Sequence, residues 1–140
     1  MKAFATSITI RARPEAIWAV LTDAAGYPQW NSTIERIDGR IAAGEKVTVH
    51  AKGAGRAFPL RVAEFAPPSR MVWSGGMPLG LFKGTRSYTL TPTSQGEIEF
   101  AMREEFSGLL APLITRSIPD LQPAFDRFAA DLKLRMERAA

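Results

Sequence analysis

From Phe4 to Arg11 apolar and polar residues alternate, with Phe4, Thr6, Ile8 and Ile10 on one face, which predicts a strand. Arg13-Pro14-Glu15 then opens a helix, since proline fits a first helical turn and glutamate favours its positive end. Ile17, Val20, Leu21 and Ala24 recur at helical spacing as the buried stripe. Gly26 is read as the end of that helix, and Tyr27-Pro28-Gln29-Trp30-Asn31 as a tight turn or a short second helix.

Strands and turn residues follow in succession. Ile34 to Ile37 leads into Asp38-Gly39; Val47, Val49 and Ala51 alternate with Thr48, His50 and Lys52; Gly53 to Arg56 turns the chain. Phe58, Leu60 and Val62 alternate again until Pro67-Pro68-Ser69, and Met71 to Ser74 forms the next strand. Gly75-Gly76, Pro78 and Gly80 predict a loose corner, and Thr85 to Thr91 is expected to pair with Glu97 to Phe106 in a hairpin. Past Gly108 the period changes: Leu121, Phe125, Phe128, Leu132 and Met136 describe a long amphipathic helix. Asp120 and Asp126 lie near its start and Lys133, Arg135 and Arg138 near its end, while Pro112, Pro119 and Pro123 break the segment before it. A strand, short helices, about six strands and a long helix, segregated in this way, predict an α+β fold with one helix on an antiparallel sheet.

Composition narrows the chemistry. The 140 residues, 46% hydrophobic and 23% charged, suit one domain spanning 1–140 without repeats or linkers. A domain of this size hides about 68–70% of its unfolded surface. The absence of cysteine removes disulfides, thiolate metal sites and cysteine nucleophiles. A single histidine, His50, leaves no His-rich metal centre, so no metal and no cofactor is expected. No apolar run approaches the roughly 18 residues of a membrane span, and the N-terminus reads as a strand and not as a secretory signal. The expectation is a cytoplasmic protein without stable membrane insertion. The net charge is +4, but the cations are scattered singly among acids, so no nucleic-acid partner is expected.

The element order and particular residues resemble the START-like superfamily, also called SRPBCC or helix-grip, with its polyketide cyclase/dehydrase-like branch nearest. The resemblance is carried by Ile8-Thr-Ile-Arg-Ala-Arg-Pro14-Glu-Ala-Ile-Trp18-Ala-Val-Leu-Thr-Asp23 and by Tyr27-Pro-Gln-Trp30-Asn31. It continues through Gly44, Val62-Ala-Glu64-Phe65-Ala-Pro67, Met71-Val-Trp73 and Glu104 to Gly108. That family's pattern usually ends Trp-Asn-Pro, whereas Ser32 stands in the place of the proline here. The resemblance implies a curved antiparallel sheet of about six to seven strands gripping the C-terminal helix, with two short helices after strand 1. It also implies a cavity for an apolar molecule between sheet and helix. Lipid carriers, hormone receptors, aromatic cyclases and chaperone activators share that fold, so fold alone does not choose among them.

On a concave sheet face, Arg86, Tyr88 and Leu90 share parity, as do Ile98, Phe100, Met102, Glu104 and Phe106. With Leu90 set opposite Ile98, Arg86 falls opposite Met102 and diagonal to Glu104. A charge drawn inward with apolar neighbours needs a partner or a polar ligand, so Arg86 and Glu104 are read either as ligand-orienting groups or as a structural ion pair. The Tyr88 phenol suits a ligand carbonyl and equally suits core packing. Trp30, Trp73, Phe82, Phe100, Met102, Leu109 and Phe125 complete the candidate ligand-binding set; Trp18 is expected to pack on the sheet instead. The parity of His50 sends it to the solvated face, away from a catalytic role; Glu64 and Glu104 remain as candidate general bases. The leading expectation is binding or transport of a small hydrophobic molecule. A polyketide cyclase/dehydrase-type enzyme and a chaperone-activator-like interaction module are the alternatives, and a homodimer is left open.

Overall fold

The computed structural model describes residues 2–53 and 57–138, so Ala54, Gly55 and Arg56 of the expected turn lie outside the described residues. Alternation builds strand β1 (Lys2–Ile10), which buries Phe4 and Ile10 on its inner face. Helix α1 (Pro14–Leu21) carries its proline in the first turn and buries Ile17, Trp18 and Leu21. It stops at Leu21, earlier than Gly26 suggested: Gly26 ends a separate 3-10 turn, Ala24–Gly26, before helix α2 (Tyr27–Trp30). Trp18 packs on Phe65 of the sheet, with ring centroids 5.4 Å apart, as its position beside the stripe predicted.

Six further strands follow: β2 (Ile34–Gly39), β3 (Lys46–Ala51), β4 (Ala57–Ala66), β5 (Arg70–Met77), β6 (Phe82–Pro92) and β7 (Ile98–Ser107). They form one curved seven-stranded sheet in the order β1-β7-β6-β5-β4-β3-β2, antiparallel at every pairing. β5 runs straight through Gly75-Gly76, so the expected corner shrinks to Pro78–Leu81. Glycine is required at Gly76, where φ is +149° and a Cβ would come within 2.2 Å of the Phe82 carbonyl oxygen.

After the short helix α3 (Ala111–Ile114), helix α4 (Gln122–Arg138) lies across the concave face and buries Phe125, Phe128, Ala129, Leu132 and Met136. Its polar residues occupy the free edge of β1. Gln122 donates to the Ala5 carbonyl at 2.7 Å, Lys133 donates to the Thr9 carbonyl at 2.6 Å, and Glu137 accepts from the Arg11 backbone N–H. An edge strand is thereby closed by side chains where no neighbouring strand exists. Ser32 ties the end of α2 to the same helix, its N–H and hydroxyl both donating to Asp131 at 2.8 and 2.7 Å. A proline at that position would lack the N–H, so the departure from the family pattern has a structural use here.

Candidate functional site

The hairpin of β6 and β7 sets the register of the concave face. Its turn spans residues 93–97, closed by Thr93 N–H donating to the Glu97 carbonyl at 2.8 Å. Pro92 therefore sits opposite Ile98 and Leu90 opposite Phe100, two residues further along than the sequence suggested. The consequence is direct: Arg86 lies opposite Glu104, not diagonal to it, and Tyr88 lies opposite Met102. Pairings across the sheet line up Phe4, Glu104, Arg86, Trp73 and Val62 in one row. Thr6, Met102, Tyr88 and Met71 form the next.

Arg86 and Glu104 are an ion pair with side chains 20% and 15% exposed. Nε and Nη2 of Arg86 both donate to Oε1 of Glu104, the former at 2.7 Å. Phe125 of α4 covers the guanidinium, its ring centroid 4.9 Å from Cζ, a cation–π contact. Burial works against the charge on Arg86, but the attraction of Glu104 outweighs it and holds the guanidinium above its ordinary pKa.

Tyr88 is fully enclosed beside this pair. Its ring meets Trp73 at 4.9 Å and Phe128 at 6.2 Å; the Arg86 guanidinium faces its oxygen without closing a well-formed hydrogen bond, and the hydroxyl proton has no acceptor. Burial pushes the phenol up to about 12, with Arg86 nearby pulling the other way. Tyr88 is thus a neutral donor with nothing to donate to. Trp30 Nε1 and Asn31 Nδ2 are likewise buried without acceptors. Trp30 packs edge-on against Phe128 at 5.5 Å and beside Tyr27 at 4.9 Å, so two unpaired donors, Trp30 Nε1 and the Tyr88 hydroxyl, belong to residues flanking one ring. Tyr27 differs: its hydroxyl donates to the Leu21 carbonyl at 2.7 Å.

The other candidates divide clearly. Trp73 is buried and gives its N–H to the Met71 sulfur; Phe100 stacks on Phe128 at 5.9 Å; Met102 is buried beside Tyr88. Phe82 is half-buried and stacks on Phe106 at 5.8 Å, at the end of the face where β5 and β6 join. Leu109 corrects the expectation: it is 81% exposed and lines nothing in the interior, because Gly108 turns the chain outward at φ +111°. Glu64 faces solvent, 3.6 Å from Arg70, and His50 lies 2.7 Å from Asp38 on the opposite face of the sheet. Sequence reasoning put Phe128 in the apolar stripe of the helix but left it out of the candidate set, although it is the ring at the centre of the cluster. Its place three residues after Phe125 in the apolar stripe was the available signal.

The space between helix and sheet is filled by these rings. Two hollows lie nearer the surface: about 540 Å³ beside β1 and β7, touching Ala5, Ala101 and Arg103, and about 240 Å³ at the β5–β6 end, touching Gly76, Met77 and Lys83. Neither is lined by Arg86, Tyr88 or Glu104. Among the described residues no group of three or more His, Asp or Glu is placed to hold a metal ion.

Residues 1–137 match the profile of the family described as polyketide cyclase / dehydrase and lipid transport. No curated protein matches the chain. Among solved structures, a hypothetical protein from Helicobacter pylori is similar with a TM-score of 0.79 at 12% identity, over 96% of this chain and 88% of that one. A START superfamily protein from Mycobacterium smegmatis aligns over 99% of both chains at 17% identity, with a TM-score of 0.69. The di-domain ARO/CYC protein BexL of the BE-7585A biosynthetic pathway matches 98% of this chain at 14% identity and a TM-score of 0.71. This chain spans 47% of that protein.

Proposed function

Since the chain belongs to the polyketide cyclase / dehydrase and lipid transport family, with the START-like fold, we propose that it binds and carries a small hydrophobic molecule without transforming it. One observation carries this reading: the enclosed Tyr88 hydroxyl, whose proton has no acceptor, beside the Arg86–Glu104 pair on an otherwise mainly apolar sheet face. Leaving a buried donor unmade costs about 1–3 kcal/mol, which a ligand acceptor offsets when bound. The ligand is therefore an apolar body with one hydrogen-bond acceptor, such as a carbonyl, received by Tyr88 and Trp30 Nε1. Since Phe125 and Phe128 of α4 fill the space beside Tyr88, taking in that body requires these rings to move outward.

Proton-transfer chemistry has less support in these groups. A general acid or base works best with a pKa near the working pH, whereas Tyr88 is pushed to about 12 and Arg86 is held protonated. Glu104 is engaged by two N–H groups of Arg86. Binding is the function these properties suit.

The test is native mass spectrometry of freshly purified protein, followed by denaturing extraction. Wild type is expected to release a hydrophobic compound on unfolding, and Tyr88→Phe is expected to retain about tenfold less of it, one hydrogen bond to a buried donor being worth roughly 1.4 kcal/mol. Equal retention by both proteins would remove Tyr88 from the site. Turnover of the extracted compound by wild type would replace the carrier reading with an enzymatic one.

A further inference from the structure

The end of the molecule where β5 and β6 join carries an apolar ledge that the ligand reading does not use. Leu79 is 92% exposed, Leu109 81%, Leu113 64% and Met77 47%. These side chains are held out by a built backbone. Leu109 N–H donates to the Gly80 carbonyl at 3.3 Å and Leu110 N–H to the Leu81 carbonyl at 2.7 Å, lacing the Pro78–Leu81 turn to the start of α3. Gly108 allows that approach: a Cβ there would stand 2.7 Å from the Leu81 carbonyl oxygen. Leu79 itself sits at φ +61°, a left-handed conformation costly for leucine, with its side chain in solvent. A strained leucine that packs against nothing has no stabilising role within the fold.

Charge selects what covers it. Residues 77–83 and 108–119, which build the ledge, contain no aspartate or glutamate. Exposed Lys83 borders the hollow beside Met77, and exposed Arg116 follows Leu113 by one turn. The preceding acids, Glu104 and Glu105, are already paired with Arg86 and Arg103. A second copy seated on this ledge would bring Lys83 and Arg116 against their own kind with no acid to receive them, and the chain already carries +4. Exposed leucines bordered by Lys83 and Arg116, which form no ion pair among the described residues, suit an interface that is apolar within and negative at its surface.

We infer that the ledge formed by Leu79, Leu109, Leu113 and Met77, with Lys83 and Arg116, docks the protein reversibly onto anionic lipid membranes. The contact is peripheral: no helix among the described residues is long and apolar enough to cross a bilayer. Phe82, three residues from Leu79, leads from the ledge to the Phe106 end of the concave face, so docking would bring that face to the lipid surface. The inference stands whether or not the interior takes a ligand.

Sedimentation with phosphatidylcholine vesicles, with and without phosphatidylglycerol, tests it. Wild type is expected to partition onto the mixed vesicles and not onto the neutral ones. The double variant Leu79→Asn/Leu109→Gln and the double variant Lys83→Glu/Arg116→Glu are each expected to partition about tenfold less. All four positions are exposed and asparagine tolerates the left-handed conformation, so far-UV circular dichroism should show an unchanged fold. Absence of wild-type binding to the mixed vesicles, or binding that neither variant weakens, overturns the inference. So does a dimer in sedimentation velocity that the leucine variant dissolves, which would make the ledge a contact between copies.

Discussion

At Tyr88 the interests of stability and of binding diverge. Its hydroxyl proton is enclosed without an acceptor, so Tyr88→Phe removes a donor that the folded state leaves unsatisfied. The expected result is an unfolding free energy unchanged or raised by up to about 1 kcal/mol, read from urea denaturation. A merely structural tyrosine would lose stability on the same change. Glu104 behaves in the opposite sense, because Arg86 depends on it. Glu104→Gln leaves the guanidinium half-hidden with no counterion, and about 2 kcal/mol of stability should be lost. That figure is below the 3–5 kcal/mol typical of fully buried pairs because solvent reaches both side chains. Urea unfolding of the two variants side by side distinguishes a residue kept for a ligand from one kept for its neighbour.

Among the elements, α4 organises the interior. Its Phe128 meets Tyr27, Trp30, Tyr88 and Phe100 at 5.5–6.3 Å, joining α2, β6 and β7 through one ring. Phe128→Ala should cost about 4 kcal/mol, a large share of the stability of a domain this size, measurable as a lower denaturant midpoint. The polar side of the helix serves the edge of β1, where Gln122 and Lys133 occupy carbonyls that a further strand would otherwise use. Both halves of α4 are held to β1, the N-terminal half by Gln122 to the Ala5 carbonyl and by Thr6 to Asp126, the C-terminal half by Lys133 to the Thr9 carbonyl.

For the molecule as a whole, acid is the condition that should unsettle it first. Asp38 is held below the usual carboxylate range chiefly by its hydrogen bond with His50, with Arg36 adding to the effect. Glu137 is held below it by the Arg11 backbone N–H and then by Lys133. A carboxylate with a lowered folded pKa contributes stability that is fully present above its unfolded value near about 4 and is lost as pH falls through the folded value. Protonation also adds positive charge to a chain already at +4. Stability is thus expected to fall on acidification below about pH 4, and more gently in the Asp38→Asn/Glu137→Gln variant, with thermal unfolding across pH as the measurement. An identical slope in both proteins would exclude these two carboxylates as the source.

Local chemistry made most of this architecture readable without coordinates. Alternation in β1 and β3, the proline at the start of α1, the hairpin before Gly108 and the stripe from Phe125 to Met136 are patterns of neighbouring residues, each dictated by backbone geometry and burial. Parity alone also placed Arg86, Tyr88 and Glu104 on one face. What tertiary structure decided was register and reach. A two-residue change in pairing turned Arg86 and Glu104 from diagonal neighbours into direct partners, because the length of the turn at 93–97, not hydrophobicity, sets which residues face each other. Phe128 became central, and the Tyr88 hydroxyl was left without an acceptor, through the way α4 crosses the sheet, a long-range packing event. Leu109 went outward for a local reason visible only in three dimensions: Gly108 adopts a conformation that lets two distant turns hydrogen-bond, and the leucine beyond it has no core left to enter.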